Sequence, residues 1–358
     1  MSWTEIIGHQ SIVERFHVCF NNNRLANTYL FVGREGIGKR KFAMKLAQTL
    51  FCTKGASQFQ PCGNCPSCTQ VLSAVHPDLI LVAKPADKNF LPVELFVGDR
   101  EHRRRAGLCH DINLTPYSGD RKIAIIDDAD FFNAESANSL LKTLEEPPHN
   151  SILILIGTSE HRQLPTILSR CQVVRFGSLN ADQITAILDD TNLQSHVANN
   201  ELATIAGGSV ARAIELNDED LFAFRHRLLE RLSTLDPADN DFAKAVCDFV
   251  EGRSKDAAVR RRCLNLLGEF AIKHFRDSLH LSLGTTASET LDRELIENLI
   301  SNDSSGRLHE MLTDLIDRTM LFQKHVEANM AMANIVPFWL NDLGAMVRGQ
   351  KQPLQFAV

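Results

Sequence analysis

The sequence predicts an α/β domain followed by an all-helical region. Three observations support this prediction. Five short apolar runs of strand length lie in the first half and are separated by segments with helical periodicity. A glycine-rich loop joins the first run to a helical segment. After Phe176 the strand-like runs stop, and apolar residues recur only at helical spacing. Apolar runs that alternate with helices are typical of a parallel sheet covered on both faces.

The predicted strands are "TYLFV", "DLILVA", "KIAIID", "SILILIG" and "CQVVRF", which begin at residues 28, 78, 122, 151 and 171. The segment from 180 to 216 reads as short helices, and the amphipathic segments beyond it are expected to bury their apolar faces in a bundle. We therefore expect an α/β domain over 1–177, a small helical lid over 178–218 and a helical C-terminal domain over 219–358.

Composition narrows the classes of function. The chain has 358 residues, 44% of them hydrophobic, and a formal net charge of −6. A protein that grips a phosphate backbone on its own is usually basic, so autonomous, tight DNA binding is disfavoured. No apolar run is long enough to span a membrane, and the first residues lack the basic and apolar regions of a signal peptide. We expect a cytoplasmic protein.

The loop "GREGIGK" has the features of a phosphate-binding loop. Gly33, Gly38 and Lys39 satisfy the G-x-x-x-x-G-K spacing between a strand and a helix, and Gly36 adds a further glycine. Glycines let backbone N–H groups close around phosphates, and the lysine reaches the terminal phosphate oxygens. The alternative is a glycine-rich turn with an incidental lysine, which this strand-to-helix context disfavours.

Two residues depart from the pattern of an active nucleotide site. The loop's lysine is followed by Arg40, which has no hydroxyl to hold Mg²⁺ and repels the ion at close range. Asp127 ends an apolar strand at the position of a metal-associated carboxylate, although a strand-end aspartate is often only a cap. Asp128 follows where many hydrolysing proteins carry the longer glutamate. The loop therefore predicts a nucleotide pocket that is poor at hydrolysis.

Four cysteines form a compact cluster over 52–68. Cys62, Cys65 and Cys68 have C-x-x-C-x-x-C spacing, and Cys52 lies ten residues upstream. Disulfides are rare in the cytosol, so the cluster predicts a closed structural Zn²⁺ site with four thiolate ligands. An iron–sulfur cluster and free thiols are the alternatives, and the absence of a second ligand run favours zinc.

Arg170 stands between Ser169 and Cys171, just before the last predicted strand. It is either a salt-bridged surface residue or a finger offered to a phosphate outside its own pocket, and the residues alone do not separate the two. Thr158 ends the fourth strand, where a sensor of the γ-phosphate is expected. Arg212 lies in the predicted lid.

Together these stretches resemble the AAA+ clamp-loader family of the bacterial replication machinery. The resemblance rests on the loop, the cysteine cluster, "IAIIDDADFFNAESANSLLKTLEEPP" and "LPTILSRCQVVRF". It implies an AAA+ domain, a helical lid and a C-terminal collar domain that joins subunits of the delta and gamma/tau types in a hetero-pentameric ring. Such a complex of DNA polymerase III uses ATP to open the sliding clamp and load it on primed DNA.

The resemblance also assigns roles to single residues. Arg170, within Ser169-Arg170-Cys171, matches the arginine that completes a neighbour's ATP site. Lys39, Asp127 and Thr158 match the phosphate lysine, the metal carboxylate and the first sensor. Arg212 lies near the expected second sensor. Arg40 and Asp128 are departures typical of a non-hydrolysing branch.

Three hypotheses follow. In the first, the chain is an assembly subunit with little or no ATPase of its own that supplies Arg170 to a neighbour. In the second, it is an active ATP-hydrolysing loader subunit. In the third, it is a zinc-dependent nucleic-acid-binding module. Whether ATP and Mg²⁺ bind at its own loop is left open by the sequence.

Overall fold

The computed structural model describes residues 3–55, 58–85, 87–99, 101, 105–191, 194, 196–234, 240–285, 291–301 and 306–348. Residues 349–358 of the predicted C-terminal domain lie outside these ranges. The chain forms two compact units. The first comprises residues 1–194 and 206–215, and the second comprises 195–205 and 216–358.

The first unit is built on a five-stranded sheet in which all pairings are parallel. Its strands are β1 (Thr28–Val32), β2 (Leu79–Val82), β3 (Lys122–Ile126), β4 (Ser151–Gly157) and β5 (Gln172–Arg175), in the order β2-β3-β4-β1-β5. Every predicted strand is present, and its observed ends lie within one residue of the predicted ends. The predicted fold class, a parallel α/β domain followed by helices, is confirmed.

Apolar residues on both faces of each central strand explain why the sheet is covered on both sides. Successive side chains of a strand point to opposite faces. In β1, Tyr29 and Phe31 therefore pack into one core and Leu30 and Val32 into another. Neither face of the central strands is left to solvent, as a parallel sheet requires.

The helices of the first unit cover these faces and carry the loops of the site. They are α1 (Gln10–Asn21), α2 (Lys39–Phe51), α3 (Pro66–Leu72), α4 (Glu94–Val97), α5 (Leu108–Asp111), α6 (Ala134–Glu145), α7 (Pro165–Leu168), α8 (Ala181–Asp190) and α10 (Val210–Glu215). Helix α6 begins with a capping box between Asn133 and Ser136, which fixes where the chain turns after β3. Short 3₁₀ turns lie at Trp3–Glu5, Ala129–Phe131 and Glu160–Arg162.

The described part of the second unit is helical. Its helices are α9 (Asn199–Ile205), α11 (Glu219–Ser233), α12 (Asn240–Arg253), α13 (Ala257–Ser282), α14 (Arg293–Ser301), α15 (Leu308–Glu327) and α16 (Met332–Val347). The long helix α13 packs mainly against α15, and α15 in turn against α16. None of the helices in the described ranges combines the length and the apolarity needed to cross a membrane.

The segment predicted as a lid contains three short helices, and they divide between the two units. Helices α8 and α10 belong to the first unit, and α9 belongs to the second. The three-domain division at 177 and 218 stays a prediction.

Candidate functional site

The loop between β1 and α2 has a backbone that only glycine adopts readily. Gly36 and Gly38 have φ angles of +74° and +100°. A Cβ atom on Gly36 would lie 2.4 Å from Ser209 Oγ, so this glycine also permits the close approach of the segment before α10. A Cβ atom on Gly38 would meet nothing within 4 Å. The space over Gly38, at the start of α2, is therefore open to a ligand.

Lys39 is folded back over its own loop. Its Nζ donates to the carbonyl oxygens of Gly33 and, at 2.7 Å, of Arg34. The side chain is buried, and this burial lowers the pKa of Lys39, while the nearby carboxylates of Asp130 and Asp127 oppose the shift. The ammonium group thus holds the loop closed and keeps one further N–H group for an anion.

Arg40 forms an ion pair with the strand-end carboxylate. Its Nη1 donates to Asp127 Oδ2 at 3.1 Å, across 87 residues of sequence. The side chain of Arg40 is 57% exposed and that of Asp127 is 22% exposed. The residue that replaces the expected hydroxyl therefore contacts the carboxylate that was expected to hold the metal.

Asp128 and Asp130 are engaged by internal donors. Asp128 has a φ angle of +58°, and its Oδ2 accepts the backbone N–H of Lys84 at 3.2 Å. Asp130 Oδ2 accepts the backbone N–H of Thr158 at 2.8 Å, and its Oδ1 accepts a hydrogen bond from Gln163. Asp130 therefore ties the turn after β3 to the end of β4.

These residues lie around one cavity of about 790 Å³ at the carboxyl ends of the strands. Such edges are the usual ligand sites of open parallel sheets. The cavity has a charged part and an apolar part. Its charged lining includes Glu35, Lys39, Arg40, Lys41, Lys84, Asp127, Asp128, Asp130 and Arg162, and its apolar lining includes Ile6, Ile7, Ile187, Val210 and Ile214.

The segment before α10 completes the cavity through backbone contacts. The N–H of Val210 donates to the carbonyl of Gly36 at 3.0 Å, and Arg34 donates to the carbonyl of Gly207. Val210, Ala211 and Ile214 are the α10 residues that line the cavity in the described structure, and Arg212 is not one of them. Thr158 does line it. The sensor roles of Thr158 and Arg212 remain predictions.

Arg170 lies at the amino ends of the strands, which form the opposite edge of the sheet from the cavity. It precedes β5, and its carbonyl accepts a hydrogen bond from Thr28 Oγ1, at the start of β1, at 2.6 Å. Its guanidinium group donates to Glu145, to the Thr166 carbonyl at 2.9 Å and to Ser169 Oγ at 3.0 Å. Burial raises the pKa of the neighbouring Cys171 to about 12, so that thiol stays protonated. Because Arg170 sits at the amino edge, it does not serve the cavity of its own chain.

The four predicted cysteines converge. The sulfur atoms of Cys52, Cys62, Cys65 and Cys68 all lie within 4.8 Å of one another, and those of Cys62 and Cys68 are 4.0 Å apart. A tetrahedral Zn²⁺ with Zn–S bonds of about 2.3 Å needs sulfur atoms about 3.8 Å apart. The donor set and its spacing therefore fit a structural zinc ion.

Backbone N–H groups support the sulfur atoms of this cluster. Cys62 and Gly55 donate to Cys52 Sγ at 3.3 and 3.2 Å, and Cys68 donates to Cys65 Sγ at 3.4 Å. Burial acts to raise the pKa of Cys65, but N–H donors outweigh it and lower this pKa to about 6. Thiolates are the form that binds metal.

The sequence reasoning missed two functional candidates. Asp130 is the third aspartate of "DDAD", and its distance from the strand end could have marked it as part of the same edge. Glu145, which holds Arg170, lies in "LEEPP", where two adjacent glutamates give no sign of which one is paired.

Comparisons with known proteins show which families the chain is similar to. The family described as "DNA polymerase III, delta subunit" matches residues 8–180, which include the loop, the cysteine cluster, the strand-end aspartates and Arg170. The chain is 33% identical over 224 residues to DNA polymerase III subunit delta' of Bacillus subtilis (strain 168), over 62% of this chain and 64% of that protein.

The chain thus matches a family of DNA polymerase III subunits over residues 8–180, just under half of its length. Subunits of several types in this family are similar to it. It is 31% identical to subunit delta' of Pseudomonas aeruginosa, over 59% of this chain and 61% of that protein. It is 30% identical to subunit tau of Escherichia coli (strain K12), over 61% of this chain and 33% of that protein. The chain thus spans less than two thirds of the length of these relatives.

Proposed function

We propose that the chain is a delta-prime-type subunit of a DNA polymerase III clamp loader, which helps to open the sliding clamp and load it on primed DNA. Its own cavity does not hydrolyse ATP, and Arg170 completes the ATP site of a neighbouring subunit. The observation that carries this proposal is the ion pair between Arg40 and Asp127.

The ion pair is relevant to hydrolysis because it engages Asp127, the carboxylate expected to hold the metal ion. Phosphoryl transfer in loop-type ATPases relies on a metal ion held by a hydroxyl next to the lysine and by a strand-end carboxylate. Here the hydroxyl is absent, and the carboxylate is bonded to a guanidinium group. Nothing in this pair activates or positions a water molecule, so we expect the isolated chain to be inactive.

The location of Arg170 supports its action on another subunit. It lies at the amino edge of the sheet, whereas the cavity lies at the carboxyl edge, so a phosphate that it contacts belongs to a different chain. The side chain of Arg170 is 30% exposed, and its guanidinium group is fixed in orientation by three acceptors. Such an arginine adds positive charge where negative charge develops on the transferred phosphoryl group.

The partners follow from this proposal. They are loader subunits of the delta and gamma/tau types in a hetero-pentameric ring, with the second, helical unit as the collar. The sliding clamp and primed DNA are reached through the complex. A structural zinc ion, held by the four cysteines, stabilises the first unit but takes no part in catalysis, since its four thiolate ligands leave no open position.

Two assays test the proposal together. Phosphate release by the isolated chain should stay at the level of a Lys39→Ala variant. In a reconstituted loader, Arg170→Ala should lower turnover at the adjacent ATP site, and clamp loading should fall with it. Unchanged turnover with Arg170→Ala would contradict the proposal, and robust turnover by the isolated chain would identify an active gamma/tau-like subunit instead.

A further inference from the structure

We infer that the cavity of the first unit binds a nucleoside di- or triphosphate without Mg²⁺, with the guanidinium group of Arg40 in the place of the metal ion. This inference deepens the proposed function and rests on it for the absence of hydrolysis. The sequence alone left open whether the cavity binds a nucleotide and which cation accompanies it.

The carboxylates expected to hold Mg²⁺ are already engaged. Asp127 Oδ1 accepts the backbone N–H of Asp128 at 3.1 Å, and Asp127 Oδ2 accepts Arg40 at the same distance. Asp128 and Asp130 are bonded to backbone N–H groups of Lys84 and Thr158. Mg²⁺ demands near-octahedral oxygen ligands, and a guanidinium group at van der Waals distance repels it.

The chemistry of the donor set points the same way. A metal ion in a loop-type nucleotide site is held by a hydroxyl next to the lysine and by a strand-end carboxylate. Here Arg40 stands in place of the hydroxyl and is bonded to Asp127. The residues of the cavity therefore do not fit the metal that the fold family implies.

Cationic donors remain for phosphate oxygens. Arg40 carries five N–H groups, and one of them contacts Asp127. Its side chain is 57% exposed at the cavity, and a guanidinium group matches phosphate with paired hydrogen bonds. Lys39 uses two of its three N–H groups on loop carbonyls and has one left. The ion pair also cancels the charge of Asp127, which would otherwise repel phosphate.

The rest of the cavity indicates a nucleotide rather than inorganic phosphate. The open space over Gly38 lies beside Lys39, where the glycine loop can surround a phosphate. The same cavity has an apolar lining that includes Ile6, Ile187 and Ile214. Its volume of about 790 Å³ is in the range of small-molecule sites. A polyphosphate that carries an apolar, flat base uses both parts.

Isothermal titration calorimetry with ADP tests the inference. The full chain is titrated in buffer with EDTA and, separately, with excess Mg²⁺. We expect binding in EDTA at an affinity equal to that in Mg²⁺ or tighter, because Mg²⁺ competes for the polyphosphate in solution. Lys39→Ala should abolish binding. Absence of binding in both buffers, or binding only with Mg²⁺, would overturn the inference.

Variants of Arg40 make the test specific. Arg40→Thr should weaken ADP binding in EDTA by about ten-fold or more, as expected for the loss of a charge-assisted hydrogen bond, and added Mg²⁺ should now tighten it. Arg40→Lys should bind in EDTA more tightly than Arg40→Thr. Arg24→Thr, an exposed arginine outside the cavity lining, should bind like the wild type. Equal affinity of Arg40→Thr and wild type in EDTA would also overturn it.

The inference and the proposed function can be contradicted separately. Binding without Mg²⁺ is read from the isolated chain, whereas the role of Arg170 is read from the ATPase of the reconstituted loader. Metal-dependent binding together with a strong Arg170→Ala defect would overturn only the inference. Binding of ADP without Mg²⁺, together with an unchanged ATPase of the loader that carries Arg170→Ala, would overturn only the proposed role of Arg170.

Discussion

Arg170 Nε donates to Glu145 Oε1 at 2.9 Å, and Nη2 of the same guanidinium group donates to the same oxygen. Nη1 is held separately, by the carbonyl of Thr166 and the hydroxyl of Ser169. The edge of the guanidinium group that is best suited to grip a phosphate is thus taken by a carboxylate. A phosphate that binds there must displace Glu145, while the two bonds to Nη1 keep the group in place.

Glu145→Ala is therefore expected to raise the Arg170-dependent ATPase rate of a reconstituted loader. The side chains of Arg170 and Glu145 are 30% and 49% exposed, and ion pairs of this kind are stabilised by about 0.2–1 kcal/mol. Because a phosphate no longer has to break this pair in the variant, the ATPase rate should rise by at most about five-fold. Glu146→Ala, which removes the adjacent exposed carboxylate, is the matched control, and Glu145→Ala should have no effect when combined with Arg170→Ala. A ten-fold fall in the rate would show instead that Glu145 positions the arginine.

Removal of the metal should change the fluorescence of Trp3. Trp3 Nε1 donates to the carbonyl of Phe59 at 2.8 Å, and the two rings stack at 5.3 Å. Phe59 is buried and lies in the loop between Cys52 and Cys62. Chelation frees this loop, so we expect the tryptophan emission to shift to longer wavelength.

Three controls make the metal test specific. The shift should disappear in Trp3→Phe, which leaves Trp339 as the other tryptophan. Cys65→Ser should lose the metal, measured by atomic absorption, whereas Cys109→Ser outside the cluster should keep it. Purified wild-type protein without bound zinc, or an emission spectrum that chelators do not change, would contradict the predicted site.

The ion pair between Arg225 and Asp292 should be essential for the stability of the second unit. Its side chains are 4% and 13% exposed, and Arg225 also lies over the ring of Phe270. Removal of one partner leaves a buried charge without compensation, so Asp292→Ala should lower the free energy of unfolding by about 3–5 kcal/mol.

Urea unfolding measures this effect. Trp339 reports on the second unit when Trp3→Phe is the background. Glu297→Ala is the matched control because it breaks the ion pair between Arg293 and Glu297, whose side chains are 71% and 56% exposed. This variant should change the free energy of unfolding by less than about 0.5 kcal/mol. A cost of Asp292→Ala as small as that of the control would contradict the prediction.

The second unit should lose stability in mild acid through His274. Burial lowers the pKa of His274 to about 4, Asp292 opposes this shift and Arg225 adds to it. Nε2 contacts Ser233 Oγ at 3.0 Å, whereas Nδ1 is buried without a hydrogen-bond partner. Protonation therefore favours the unfolded chain, in which the pKa is about 6.5. The contribution of neutral His274 to the free energy of unfolding is present in full above pH 6.5 and is lost as the pH falls toward 4.

The full loss corresponds to about 3 kcal/mol at pH 4 and below. Urea unfolding of wild type and His274→Gln between pH 7.5 and 4 measures it, and the variant should show a flatter dependence on pH. His309→Gln, an exposed histidine, should follow the wild type. Parallel curves for wild type and His274→Gln would exclude this histidine as the titrating group.

The elements of the first unit could be predicted from the sequence because their signals are local. The apolar runs are short and bounded by loops, so β1 and β4 have the predicted ends. The cysteine cluster was also predictable, because three of its ligands lie within seven residues. Its fourth ligand, Cys52, needed only a short loop to reach them.

The pairings across the site could not be predicted in the same way. The bonds from Arg40 to Asp127 and from Arg170 to Glu145 join residues that are far apart in sequence, and strand order decides which of them meet. The sequence placed Asp127 at a strand end but did not indicate its partner. The face of α10 that lines the cavity could not be predicted either, because helical spacing in a six-residue helix does not show which face turns inward.

The positions of the cavity and of Arg170 at opposite edges of one parallel sheet give the first unit a direction. A row of such units, each offering an arginine to the next cavity, is head-to-tail, and every junction in it is of the same kind. If the proposed function holds, this unit offers an arginine to one neighbour but has no working cavity for the arginine of the other. The pairing of Arg40 with Asp127 would then mark the place where the run of working junctions stops.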